Sequence, residues 1–140
     1  MSPRVSLKRV ATFSAAHRLF NKNLTETENI QLYGKCANAN GHGHNYKIEV
    51  TVLGEINPVT GMVMNLRDLK RIIQTEVLDV VDHKHLDLDV GYFRESAMVS
   101  TAENIVVFIW RRLRPNIDPG LDLEVTLHET ESNIFCYRGN

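Results

Sequence analysis

At 140 residues, with 43% hydrophobic and 24% charged side chains, the chain has the size and makeup of one soluble domain spanning 1–140. A formal net charge of −1 supplies no field for nucleic acid or an anionic membrane, and the longest apolar run, residues 105–110, is far too short to span a bilayer. Met1-Ser2-Pro3-Arg4 has no apolar signal core, so a cytoplasmic location is expected, with Cys36 and Cys136 as free thiols.

Residues 5–17 show mixed alternation, with Phe13, Ala15 and His17 on one parity, and predict a strand. Residues 21–31 are polar and predict a mobile surface loop. From His44 the alternation is clean. Tyr46, Ile48, Val50 and Val52 share one side of a second strand. Asn57-Pro58 and Gly61 mark a turn into a short extended piece at 62–64.

Asn65 can cap a helix whose apolar stripe is Leu66, Leu69, Ile73, Val77 and Val80. Asp82-His83-Lys84-His85 follows it. A second helix starts at Ser100, which has capping-box spacing to Glu103, and Pro115 stops it. Leu121, Leu123, Val125 and Leu127 then alternate with polar residues, and a turn leads into a last strand at 134–137. The order is ββααββ. Short connections between sequential strands predict an α+β fold: a four-stranded antiparallel sheet with two helices on one face.

Chemistry concentrates around the histidines. His42 and His44 are i and i+2 on a strand, so both imidazoles face one way, and Gly41 and Gly43 permit close approach. Three neutral imidazoles with a fourth position open is the ligand set of catalytic zinc, and His17 has the parity to be the third. Against this, His-x-His pairs also occur as surface turn histidines, and a lone His17 also fits a hydrogen-bonded core position. Spacing alone does not join His17 to the pair.

Cys36 precedes His42 in a polar, Gly- and Asn-rich loop beside Lys35, which favours a thiolate able to take a proton. The competing reading is a buried structural cysteine, and Cys136, inside an apolar strand, suits that reading better. Glu129 continues the apolar parity of its strand. Either the strand ends there in water, or the carboxylate has a partner such as an amino-substituted heterocycle. Asp82 and His83 form either a proton relay or an exposed helix C-terminal cluster. His128 faces the other way and is expected on the surface.

The residues resemble a known family. Phe13-Ser14-Ala15-Ala16-His17-Arg18, Gly34-Lys35-Cys36, Asn40-Gly41-His42-Gly43-His44-Asn45-Tyr46 and the segment from Pro58 to Leu66 are similar to 6-pyruvoyl tetrahydropterin synthase. Asp82-His83-Lys84, Leu86-Asp87-Leu88-Asp89-Val90, Ser100-Thr101, Glu103-Asn104 and Glu129-Thr130 extend the likeness, in order, over nearly the whole chain. The resemblance implies the T-fold, with subunit sheets closing into a barrel by trimerisation and two trimers stacking into a homohexamer. Active sites would then lie at subunit boundaries.

The implied reaction converts 7,8-dihydroneopterin triphosphate to 6-pyruvoyl tetrahydropterin with release of triphosphate, in tetrahydrobiopterin biosynthesis. By resemblance His17, His42 and His44 hold one zinc ion per subunit, and magnesium accompanies the triphosphate. Cys36 is expected to be the general base and Asp82 and His83 its relay, reaching over from a neighbouring subunit. Glu129 is expected to anchor the pterin and share in proton transfer, with Thr101 and Glu103 at the same pocket. Ala37, Ala39 and Ala102 depart from the family pattern, and residues 95–97 resemble a short insertion. Two rivals remain: a 6-carboxy-tetrahydropterin synthase, whose cysteine usually lies nearer the His-x-His pair, and a non-catalytic zinc- or pterin-binding module.

Overall fold

The computed structural model describes residues 2–140. Two long strands dominate it. Strand β1 (Arg4–His17) and strand β2 (His42–Glu55) pair antiparallel along their whole length, from Arg4 opposite Glu55 to His17 opposite His42. Strand β4 (Asp122–His128) pairs with β2, and strand β5 (Ile134–Tyr137) pairs with β4.

The sheet has five strands, not the four expected. The fifth, β3 (Lys84–His85), runs parallel to the end of β1, giving the order β3-β1-β2-β4-β5. Its cause is local. The Asp82 carboxylate accepts the Ser14 N–H at 3.0 Å and the His83 N–H donates to the Ser14 carbonyl at 2.6 Å, which ties the chain to the β1 edge.

The first predicted helix is present as α2 (Leu66–Ile73), continuing through a π turn at Gln74–Leu78 into α3 (Asp79–Val81). Asn65 caps it, as expected, by accepting the Arg67 N–H at 2.9 Å. Leu69, Ile73 and Val77 of the expected stripe are buried and Val80 packs against the core partly covered, but Leu66 is exposed, and Ile72 and Val81 join the buried set. The extra residue in the π turn rotates the last turn, so Val81 is the more deeply buried of the pair and Val80 only flanks the core.

The second predicted helix is α6 (Ala102–Leu113), preceded by the short α4 (Leu86–Asp89) and α5 (Gly91–Glu95). Its cap is Thr101, whose hydroxyl accepts the Asn104 N–H at 3.3 Å; the Ser100–Glu103 box is not formed. Residues 62–64 form no strand.

Residues 21–31 are not simply a loop. They contain most of α1 (Glu26–Tyr33), closed by a Thr25–Glu28 capping box. Its one buried residue is polar. Asn29 accepts the Asn21 N–H and donates to the carbonyls of Asn21, Leu24 and Thr25. Hydrophobic periodicity has nothing to detect there.

The core lies between one sheet face and the long helices. Phe13, Tyr46, Ile48, Val50, Val52, Val125 and Leu127 meet Leu69, Ile73, Val77, Ile105 and Ile109. The histidines continue this buried face at the sheet's end.

Candidate metal centre

His17 ends β1 and His42 starts β2, and the register places them directly opposite each other. His44 is two residues further along β2, on the same face. The ring centroids stand 4.6 Å (His17–His42), 5.3 Å (His17–His44) and 4.9 Å (His42–His44) apart. One ligand atom from each lies within 4.8 Å of the others, close enough to share an ion.

The turn into β2 depends on glycine at one position. Gly41 has φ +74°, and a Cβ there would stand 2.8 Å from the His17 carbonyl oxygen. At Gly43 a Cβ would meet nothing closer than 3.5 Å. Gly41 therefore brings the two strand ends together.

His17 is 1% exposed. Its Nδ1–H donates to the Ser100 carbonyl at 2.7 Å, leaving the Nε2 lone pair directed elsewhere. A backbone acceptor of this kind fixes tautomer and ring orientation in metal-binding imidazoles. Burial, above all, pushes the His17 pKa down to about 4, so the ring is neutral at physiological pH. Burial and then the neighbouring His44 also lower His42, with the Glu129 carboxylate opposing them. His42 Nδ1 is buried with no protein partner. Three converging imidazoles, one of them pinned by a backbone acceptor, fit a divalent ion of the zinc type.

The remaining expected residues fall into place unevenly. Cys36 sits half-buried in a turn at Gly34–Ala37, tied to the β1 exit because the Leu19 N–H donates to its carbonyl at 2.8 Å. Its thiol is not part of the converging group. Glu129, half-buried at the end of β4, is near enough for its charge to bear on both His42 and Tyr46. The strand does not release it into open water.

Asp82 and His83 do pair, Nδ1 to Oδ1 at 3.0 Å. The Ser14 N–H, first, and then His83 hold the Asp82 carboxyl below its ordinary value. His83 has φ 61° and an outward side chain, and it borders with His44 an open cavity of about 440 Å³. Thr101 caps α6 with its hydroxyl oxygen, and Glu103 is exposed in that helix's first turn.

Two expectations fail, the second in part. Cys136 is exposed, not buried, because it lies on the uncovered face of the edge strand β5, with Thr126 Oγ1 3.4 Å from its sulfur. His128 does face away from the core, opposite Lys47, but it is no free surface residue. Its Nε2 meets Glu49 Oε2 at 2.7 Å, and both side chains are largely covered.

Sequence reasoning missed Ser100, whose contribution is a backbone carbonyl, and Tyr46 as anything but core. The Tyr46 hydroxyl stands 3.5 Å from His17 Nε2 while its ring stacks on Phe13 at 4.9 Å. Burial raises its pKa, and the charges of Glu129 and Asp87 add to that.

Fold and site together define an α+β protein with a three-histidine centre at one end of its sheet. A family model for 6-pyruvoyl tetrahydropterin synthase matches residues 6–140. The 6-pyruvoyl tetrahydrobiopterin synthase of Homo sapiens is 49% identical over 97% of this chain and 92% of its own. That of Poecilia reticulata is 52% identical over 95% and 89%. The solved structure of Caenorhabditis elegans 6-pyruvoyl tetrahydropterin synthase superposes with a TM-score of 0.92 at 44% identity, covering 99% and 98% of the two chains.

The chain belongs to the 6-pyruvoyl tetrahydropterin synthase family. It is an enzyme of the lyase class.

Proposed function

We propose that the chain converts 7,8-dihydroneopterin triphosphate to 6-pyruvoyl tetrahydropterin and triphosphate, as a step in tetrahydrobiopterin synthesis. The observation that carries this reading is the convergence of His17, His42 and His44 at the exposed end of an otherwise buried sheet face. These three residues would hold zinc, which supplies Lewis acidity to side-chain oxygens of the substrate and so acidifies the adjoining C–H bonds.

The chain's own groups do the rest. Glu129 accepts hydrogen bonds from the amino-substituted edge of the pterin, which its position beside His42 and Tyr46 supports. Cys36 removes a side-chain proton; its half-buried turn beside the β1 exit and its separation from the ligand set support a base over a ligand. Asp82 and His83 relay that proton, which their 3.0 Å contact supports. Thr101 and Glu103 contribute at the pterin pocket through the start of α6.

A homohexamer of two trimers is part of the reading. The sheet ends in a two-residue strand on one edge and a four-residue strand on the other, and barrel closure would cover both edges. Magnesium would travel with the triphosphate, and the enzyme would work in the cytoplasm. Among the described residues, no helix is long and apolar enough to cross a membrane.

The test is turnover on 7,8-dihydroneopterin triphosphate with the product weighed by mass spectrometry, alongside metal analysis, for wild type and His42→Ala. A product retaining the three-carbon side chain, lost together with the metal in the variant, supports the reading. Release of a two-carbon fragment would assign the 6-carboxy reaction instead.

A further inference from the structure

We propose that a cavity beyond β1, walled by Arg18, Lys22 and Arg94, receives the polyphosphate chain of the substrate. The inference rests on the pterin triphosphate reading above and names the residues that would hold the substrate's anionic end.

The cavity has a volume of about 330 Å³ and adjoins the metal centre on the side away from Glu129. Arg18 directly follows the ligand His17. Ala39, also on the wall, belongs to the loop running from Cys36 to His42. His85 borders it too, with Nε2 3.1 Å from where a Cβ on Gly41 would stand.

The sheet order then makes a track. Glu129 extends β4, His42 and His44 lie on β2, and His17 on β1; the cavity begins past β1, beside β3 and α4. Neighbouring strands are about 4.8 Å apart, so Glu129 to the β1 edge is roughly 10 Å. A flat heterocycle held at Glu129, with its short side chain over the histidines, therefore projects its tail into this cavity.

Charge supports the assignment. Arg18, Lys22 and Arg94 line the cavity against one carboxylate, Asp87. Asp87 is partly occupied, since its Oδ2 accepts the Arg18 N–H at 2.7 Å. Arg18 is held in place: Nε donates to the Ala37 carbonyl at 2.8 Å and the guanidinium lies 4.1 Å from the Phe20 ring centroid. Its pairing with Glu26, and that of Arg94 with Glu95, are solvent-exposed contacts. Such pairs contribute little and exchange readily for a phosphate oxygen. Lys22 Nζ donates to the Arg94 carbonyl at 3.2 Å, which brings these two cationic side chains to one rim. Phe20, Phe93 and Met98 form apolar walls, and low-dielectric walls focus the field of the cations.

Ser96 and Ala97, in the segment between α5 and Ser100, complete the rim.

The test uses the assembled, metal-loaded enzyme and two exposed-rim variants, Lys22→Gln and Arg94→Gln. KM for 7,8-dihydroneopterin triphosphate and the inhibition constant of inorganic triphosphate are measured for each. Loss of one charge-assisted phosphate contact is expected to raise both by about tenfold while kcat changes far less. Binding of unphosphorylated dihydroneopterin should stay at the wild-type value. If both variants keep wild-type KM and wild-type inhibition by triphosphate, the cavity is not the polyphosphate site, although the proposed reaction stands. If wild type fails to turn over the substrate at all, the reaction assignment fails and this inference goes with it.

Discussion

His17 donates its Nδ1–H to the carbonyl of Ser100 at 2.7 Å, linking the end of β1 to the residue just before the α6 cap. The contact selects the tautomer with Nε2 unprotonated, the nitrogen that the Tyr46 hydroxyl faces at 3.5 Å. Proton-coupled ¹⁵N spectra of the metal-free protein should show His17 neutral and protonated at Nδ1 at pH 7.

The low pKa of this residue has a sign. A folded value of about 4, below the ordinary 6.5, means that the unfolded chain takes up a proton first as pH falls. The contribution to stability is complete above pH 6.5 and drains away as pH drops toward 4, at up to about 1.4 kcal/mol per unit of pH. Urea titrations of metal-free protein across that window should show the loss, and His17→Asn should flatten it.

Gly41 and Gly43 should respond oppositely to the same substitution. Gly41→Ala puts a Cβ 2.8 Å from the His17 carbonyl oxygen at φ +74°. We expect it to cost about 2 kcal/mol of stability and to weaken metal binding. Gly43→Ala meets only an ordinary contact at 3.5 Å and should leave both near wild type. Denaturation and metal competition on the pair check this.

Glu49 is held below its ordinary pKa first by the hydrogen bond from His128, with Lys8 adding to it. Its stabilising effect is present above the normal glutamate range and fades as pH falls through the depressed value. Glu49→Gln should therefore lose about 1 kcal/mol at neutral pH, with the difference from wild type closing in acid.

How much of this was legible in the sequence varies with the kind of interaction. The alternation of Tyr46, Ile48, Val50 and Val52 reports directly which side of β2 is buried, and all four are fully covered. The placing of His42 with His44 follows from the same period. Placing His17 opposite His42 needs the strand register, which depends on the entire β1–β2 pairing. Helix α1 was missed because a single asparagine, not an apolar stripe, anchors it. Strand β3 was missed because two residues carry no periodicity. Cys136 was misplaced because its strand lies at the sheet's edge, where apolar character does not imply cover. Ser100 could not be seen, since any residue type supplies a carbonyl.

Cys36→Ala separates base from ligand. Because the thiol stands outside the converging group, the variant should keep its metal and its assembly state while losing at least about a hundredfold in turnover. Metal content, light scattering and kcat measured on one preparation check all three.

X-ray absorption at the zinc edge of the purified, active enzyme bears most directly on the centre itself. Three imidazole nitrogens and a light-atom ligand at about 2.0–2.1 Å are expected, with no sulfur shell. A scatterer at about 2.3 Å would put Cys36 on the ion and contradict the division between metal ligands and base.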